Sequence, residues 1–438
     1  MTVENHRTDF DAIVVGAGFA GVTAARELRA RGRRVLLLEA RDRLGGRTWT
    51  DTFAGQQIEL GGAWVHWSQP HIWTELTRYG VPVVEDAFPE RIVLPTEGEQ
   101  RSYELIDAYV RITELLNKVF EGTELHFPRP HDPLHHADQL GAFDALSLQD
   151  RLDQLDLTPD EITWISGLLA TELGGSTERG AFSMLAQWWA LGMLNQRGYY
   201  SIVSLRPRTG MTGLLEKMVE DNPPEIRLDS PVTSIDDHGD GVTVTTRSGE
   251  RFTARTAVVA VPTNMWRTID FPAGLPNAHA AVAATGLGVP HGSKLWLHLR
   301  GDLDNFMAQG PQGAPLSVLF PHSELGDGRL MIAFSVDPEL DLGSFAAVEK
   351  AVQLLEPKAE LVDYRVQDWG RDEFSQGGWG NRPPRHLTTV HRELQQPHGR
   401  LTFASGDIAD GWAGCIDGAV ESGLKAAHQS AALLNTRA

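Results

Sequence analysis

Only one cysteine, Cys415, occurs in the 438 residues. An intramolecular disulfide is therefore excluded, and nothing points to an oxidising compartment. Lysine is almost as scarce, with six against 33 arginines, so each lysine warrants attention. Basic charge as a whole is short: 39 Lys and Arg face 58 Asp and Glu, for a formal net charge of −19. That balance speaks against nucleic acid, whose phosphates need a basic footprint. It also weakens docking on anionic lipid. An acidic surface can draw in a cationic small molecule, and it equally serves solubility. Long apolar runs are missing too. No stretch approaches the roughly 18 residues of a membrane helix, and the opening MTVENHRTDF lacks the apolar core of a signal peptide. A soluble cytoplasmic protein with no membrane partner is expected. The 41% apolar and 22% charged content is that of an ordinary globular chain, and the length suits two or three domains.

What is present is ordered. Phe10 to Val15, FDAIVV, reads as a strand and runs straight into Gly16. Val22 to Ala30 has helix-forming composition, and Val35 to Leu38 is a second apolar run. This opens a doubly wound α/β sheet. Ser102 to Leu194 reads as helical, with a helix start at Thr158-Pro159-Asp160-Glu161. Inside it, HFPRPHDPLHHADQLGAFD is expected to be a surface loop. Its His131, His135 and His136 lack ligand spacing on rigid elements, so no metal site is expected. Residues 231–261 change period: PVTSI, GVTVTT, RFTAR and TAVVAV predict a β-meander turning at Asp240-Gly241 and Ser248-Gly249. SKLWLHLRG, PLSVLF and RLMIAFSV form a second strand-rich zone. Phe345 to Leu355 and Gly414 to Leu434 read as helices, the latter following RLTFASGD, a strand into a turn.

Gly16-Ala17-Gly18-Phe19-Ala20-Gly21 is a GxGxxG placed between strand and helix. Gly16 permits the tight turn, Gly18 lets backbone approach a pyrophosphate, and Gly21 lets the helix pack on the sheet. Glu39 ends the second strand, 18 residues beyond Gly21, where a carboxylate can accept from a ribose. The motif alone does not separate NAD from FAD. Glu39-Ala40-Arg41-Asp42-Arg43-Leu44-Gly45-Gly46-Arg47-Thr48 follows, and a second glycine pair with an arginine offers further donors to a long flavin dinucleotide.

Here the chain resembles the flavin-containing amine oxidase family, whose members open with GxGxxG and E-A-R-x-R-x-G-G-R. Three further motifs occur in the family's order: Glu59 to His66 (ELGGAWVH), the meander from Pro231, and Phe403 to Asp407 with Gly411 to Ala419. The resemblance implies FAD along Gly16, Gly18, Ala20, Gly21, Glu39, Ala40, Arg41, Gly46 and Arg47. Gly62, Ala63 and Trp64 would pass the flavin, Val232 would hold the adenine through its backbone, and Gly406 would line the site. Asp407 would bind the ribityl chain, and the backbone of Ile416 would face the isoalloxazine. It further implies an amine oxidase that moves a hydride from the carbon beside nitrogen to flavin N5, with O2 as electron acceptor. Within the family, residues 262–267 and 294–301 are similar to the bacterial 6-hydroxy-L-nicotine oxidase branch.

Alternation on Gly292 to Arg300 puts Lys294, Trp296, His298 and Arg300 on one strand face. Lys294 is either a solvated lysine or, as the resemblance implies, one that holds a water against flavin N5. Trp379 resembles the family's aromatic wall; where some members place a flavin-linked cysteine this chain has tryptophan, so non-covalent FAD is expected. Cys415 stands where many relatives place tyrosine, leaving one aromatic wall and one small side; its role is expected to be steric. Thr171 and His66 fall near substrate-contacting positions of relatives, and Trp64, Trp67, Trp188 and Trp189 are candidates for an apolar chamber that favours a neutral amine. An L-amino acid oxidase would need an arginine fork, for which Arg206 or Arg208 could serve. Polyamine oxidase and a non-catalytic FAD-binding protein are the other readings. The expected architecture has an FAD domain of 1–90, 205–290 and 390–438 interleaved with a substrate domain of 91–204 and 291–389. A homodimer is compatible with it.

Overall fold

A strand buried on both faces needs an almost continuous apolar run, and FDAIVV supplies it at the centre of the first sheet. The computed structural model describes residues 8–436. Phe10–Val15 pairs in parallel with Val35–Leu38 on one side and with Arg251–Val259 on the other. Glu225–Arg227 extends the Val35–Leu38 edge in parallel. Beyond Arg251–Val259 lie Val242–Thr246 and Val232–Asp237, the antiparallel meander. The runs RFTAR and TAVVAV, expected as two strands, are one. Its first half pairs with the meander, and its second half pairs in parallel with Leu401–Phe403. The end of the chain is thereby stitched to its beginning.

The turn after the first strand needs glycine. Gly16 has φ +101°, and a Cβ there would sit 2.9 Å from the Ala260 carbonyl oxygen. The helix Phe19–Ala30 starts earlier than the composition suggested, with Gly18 as its N-cap. It packs on the closing helix Ile416–Asn435, where a Cβ on Gly423 would lie 2.4 Å from Ala20 O.

The second sheet is mixed. Its order runs Glu360–Asp368, Ser293–Arg300, Gly328–Ser335, Val318–Leu325, Phe306–Gln309, Arg91–Thr96, Glu99–Glu104. Only the pairing of Phe306–Gln309 with Arg91–Thr96 is parallel. Leu295, Leu297 and Leu299 are fully buried on one face, against the helix Phe345–Leu355. A helical layer, including Leu105–Val119, Pro159–Glu172 and Phe182–Leu191, encloses its own core with Trp164 and Phe120. Thr158 caps Pro159–Glu172 in a reciprocal capping box with Glu161, as the sequence signal requires.

Two local expectations are corrected. Residues 137–144 of the His-rich stretch are a helix, because Leu140 faces the helical core. Ser102 to Glu104 belongs to a strand, since hairpin pairing with Arg91–Thr96 overrides local propensity. Among the described residues no helix is long and apolar enough to cross a membrane.

Candidate active site

One continuous cavity of about 790 Å³ runs between the glycine turn of the first sheet and the aromatic face of the second. Its lining includes Gly16, Gly18, Ala20, Glu39, Ala40, Arg41, Gly46, Arg47 and Val232. Gly62, Ala63, Trp64, Gly406 and Ile416 continue the wall, and Thr171, Lys294, Trp379 and Cys415 complete the sequence-predicted set within it. Residues spread over 400 positions thus share one cavity.

Three predicted residues do not line it. Gly21 acts behind the wall: a Cβ there would be 1.9 Å from Gly16 O, so its absence sets helix against turn. Asp407, expected on the ribityl chain, is turned to protein partners. Its carboxylate accepts from Arg47 (2.8 Å) and from the backbone and hydroxyl of Thr263 (3.1 and 3.0 Å). His66, expected near substrate, is fully buried, with Nδ1 on the Ser68 hydroxyl at 2.8 Å. Of the four candidate tryptophans, Trp64 and Trp188 line the cavity. Trp67 is 57% exposed, and Trp189 is packed on Phe120 in the helical core.

The first arm of the cavity fits a dinucleotide. Backbone at Gly18 meets the second glycine pair, bridging to Gly45, so both glycine runs present main chain together. Glu39 is held by the amides of Ala17 (2.8 Å) and Arg41 (3.0 Å), leaving lone pairs on each oxygen for further donors. Val232 adjoins a register shift in its strand. At the other end of this arm Gly62 lies against Ile416, whose Cδ1 would be 3.2 Å from an added Cβ.

Lys294 stands where the arms join. It is 2% exposed and donates from Nζ to Gly61 O at 3.0 Å, with Nζ 4.7 Å from the Trp64 ring centre and 5.7 Å from that of Phe334. Burial pulls its ammonium pKa well below that of a free lysine, against the attraction of Glu59 and Asp86. This is no solvated lysine. The neighbouring charges were not anticipated from sequence. Burial pushes Glu59 upward while Met211 N–H and the Thr50 hydroxyl restrain it. Burial also acts to raise Asp86, but donors from His322, Arg206 and Trp64 hold it down at about 2. Arg206 is therefore occupied by Asp86, and Arg208 is exposed outside the cavity, so neither offers a free carboxylate fork.

Trp379 is fixed by a helix end. The last carbonyls of Pro159–Glu172 have no partner inside the helix, and Trp379 Nε1 donates to Glu172 O at 2.8 Å while Asn381 Nδ2 donates to Leu173 O at 2.9 Å. Arg47 ties the same loop down through Gly378 O at 2.7 Å. Cys415 caps the closing helix beside it: a Cβ on Gly414 would lie 2.6 Å from Gly380 O, so the two loops touch. Burial pushes the Cys415 thiol up to about 12, which leaves it neutral and poorly nucleophilic.

A dinucleotide cradle on a doubly wound sheet, leading to a buried lysine and an aromatic chamber, defines a flavoprotein oxidoreductase. Comparison makes this specific: residues 19–429 match the family described as flavin containing amine oxidoreductase, and the chain belongs to it. It is 36% identical to a pseudooxynicotine dehydrogenase of Pseudomonas sp over 434 residues, covering 97% of this chain and 87% of that one. It is 31% identical to the (S)-6-hydroxynicotine oxidase of Paenarthrobacter nicotinovorans, covering 94% and 97%. A putrescine oxidase structure shares the fold, with a TM-score of 0.79 at 23% identity over 97% of this chain and 99% of that one. The protein is a flavin-dependent amine oxidoreductase with FAD as cofactor.

Proposed function

We propose that this enzyme oxidises a small amine bearing an apolar ring, holding non-covalent FAD and passing the electrons to O2. The observation that carries the reading is the position of Lys294, buried where the glycine-lined arm opens into a chamber walled by Trp64, Phe320, Phe334 and Trp379. The names of the two relatives, one acting on pseudooxynicotine and one on 6-hydroxynicotine, support a ring-bearing amine. When bound, FAD supplies the acceptor for the hydride that leaves the carbon beside nitrogen.

The chain's own residues do the rest. Main chain at Gly16, Gly18 and Gly46, the first helix's N-terminus and Arg47 receive the diphosphate; Glu39 receives a ribose hydroxyl. Gly62, Ala63 and Ile416 hold the ring end. Trp379 and Trp64 bound the substrate, Thr171 offers a hydroxyl, and Cys415 leaves room where a ring would close the chamber. The apolar walls exclude water and favour the neutral amine, whose lone pair assists hydride departure. Lys294 holds a proton at Nζ for the oxygen half-reaction. Segments 1–90, 205–290 and 390–438 would form the FAD domain and 91–204 with 291–389 the substrate domain. In support, every strand of the first sheet falls in the former and every strand of the second in the latter.

The test is anaerobic mixing of the yellow holoenzyme with primary, secondary, cyclic and poly-amines and L-amino acids. Bleaching by ring-bearing amines, followed by recovery of colour and H2O2 on admitting air, is expected. Bleaching by amino acids alone would replace the substrate class, and no recovery in air would replace the acceptor.

A further inference from the structure

The chamber holds a carboxyl group that the reading above leaves without work. Glu172 ends the helix Pro159–Glu172 and lines the cavity. Its backbone carbonyl is the one that fixes Trp379, so its side chain issues from the same anchored turn as the aromatic wall. The carboxylate accepts a hydrogen bond from the Tyr199 hydroxyl. Tyr200, which also lines the chamber, has a buried hydroxyl with no partner among the described residues. Glu172 forms no salt bridge among the described residues; the ionisable groups that face it are Tyr199, Tyr200 and the Cys415 thiol, none of them a cation. A buried carboxyl faced by no cation is costly unless it receives something.

We propose that Glu172 is the proton acceptor for the incoming substrate, taking one N–H proton from the ammonium so that the amine reaches the reaction as the free base. The step balances: the ammonium N–H bond breaks, an O–H bond forms on Glu172, the nitrogen keeps its electron pair, and the positive and negative charges vanish together. The inference rests on the amine-oxidising reading of the chamber. Amines enter largely protonated near neutrality, and an apolar cavity repels that cation. A carboxylate at the wall admits it and then removes its charge. Burial pushes the Glu172 carboxyl up to about 7, with Tyr199 restraining the rise, where a base is matched to its task. Loss of the proton also relieves the cost of the buried carboxylate.

The test is rapid-mixing anaerobic reduction of the holoenzyme by its best amine across pH, in wild type, Glu172→Gln and Tyr199→Phe. In Glu172→Gln the second-order reduction rate should fall about 100-fold near pH 7 and by less than about 3-fold near pH 10, where solution already supplies free base. Tyr199→Phe removes the restraining hydrogen bond, so the acid limb of its profile should move to higher pH. Independently of turnover, an amine with no hydrogen on the carbon beside nitrogen should raise a protonated-carboxyl stretch in the infrared difference spectrum of wild type, absent in Glu172→Gln. Equal rates in wild type and Glu172→Gln at every pH would overturn the role. So would an unmoved limb in Tyr199→Phe, which keeps the question decidable if Glu172→Gln yields no holoprotein. Failure of every amine to bleach wild type at any pH would instead sink the amine-oxidising reading itself.

Discussion

Lys294 illustrates how much one side chain's setting matters. Its neighbours along the strand alternate as expected, and strand alternation alone would also suit a solvated lysine, although the family resemblance favours a role at the flavin; the second sheet's packing against the Gly61-Gly62 turn makes it buried. Replacing it by Met should slow reoxidation by O2 about 10- to 100-fold while reduction by amine changes much less, as separate half-reaction kinetics would reveal. Because burial lowers its pKa, wild-type reoxidation should slow as pH rises through that lowered value, sooner than for a free lysine. The Lys294→Met profile should be flat over the same range. Glu172 was legible in principle. It is the one acid in the run ISGLLATEL, a charge set among apolar residues, and that incongruity is the signal sequence reading passed over. The Asp86, Arg206 and His322 group carried no such mark. Its members lie far apart in sequence, Asp86 and Arg206 joined where Val83–Glu85 pairs with Leu205–Pro207, and pairings of that range leave no local trace.

Elements were read best where local chemistry and tertiary demand agree. The capping box at Thr158, the Phe345–Leu355 helix and the strand Phe10–Val15 appear at the expected places because each is specified by its own residues. Trp67 and Trp189 were misplaced because tryptophan is equally at home in a core, at a surface edge or in a pocket. For Asp407 the motif fixes the backbone, while Arg47 and Thr263 decide where its carboxylate turns. A similar device docks the helix Pro70–Arg78 on the closing helix. Asp417 accepts from the amides of His71 and Ile72 at 2.7 and 2.9 Å and contacts His71 Nδ1 at 3.1 Å. Burial opposes the imidazolium, but the Asp417 bond and charge outweigh it and raise the His71 pKa above its ordinary value. A raised folded-state pKa means stability fully present below the unfolded value and lost as pH climbs through the folded one. Asp417→Asn should therefore cost about 1–3 kcal/mol near pH 6 and measurably less near pH 8.5, in paired thermal melts.

At the scale of the molecule, FAD attachment is the simplest thing to check. The position resembling the family's flavin-linked cysteine is Trp379, and the sole thiol, Cys415, is held neutral in the wall. Acid precipitation of the pure protein should leave a colourless pellet under a yellow supernatant; a yellow pellet would show a covalent link. The broad plan, two sheets with a cradle at the first turn, was legible because four motifs mark it in order. The chamber was less so, since its walls come from the second sheet, the helical layer and the last loop at once.

Strand Leu401–Phe403 lies beside Arg251–Val259, and the final helix seats its Gly423 on the first one. A polypeptide still emerging from the ribosome thus lacks one wall of its own nucleotide berth until residues 401–435 are free. Newly made molecules must wait, apo and incomplete, for their tails to arrive, and any nick that sheds the tail releases the pigment as well.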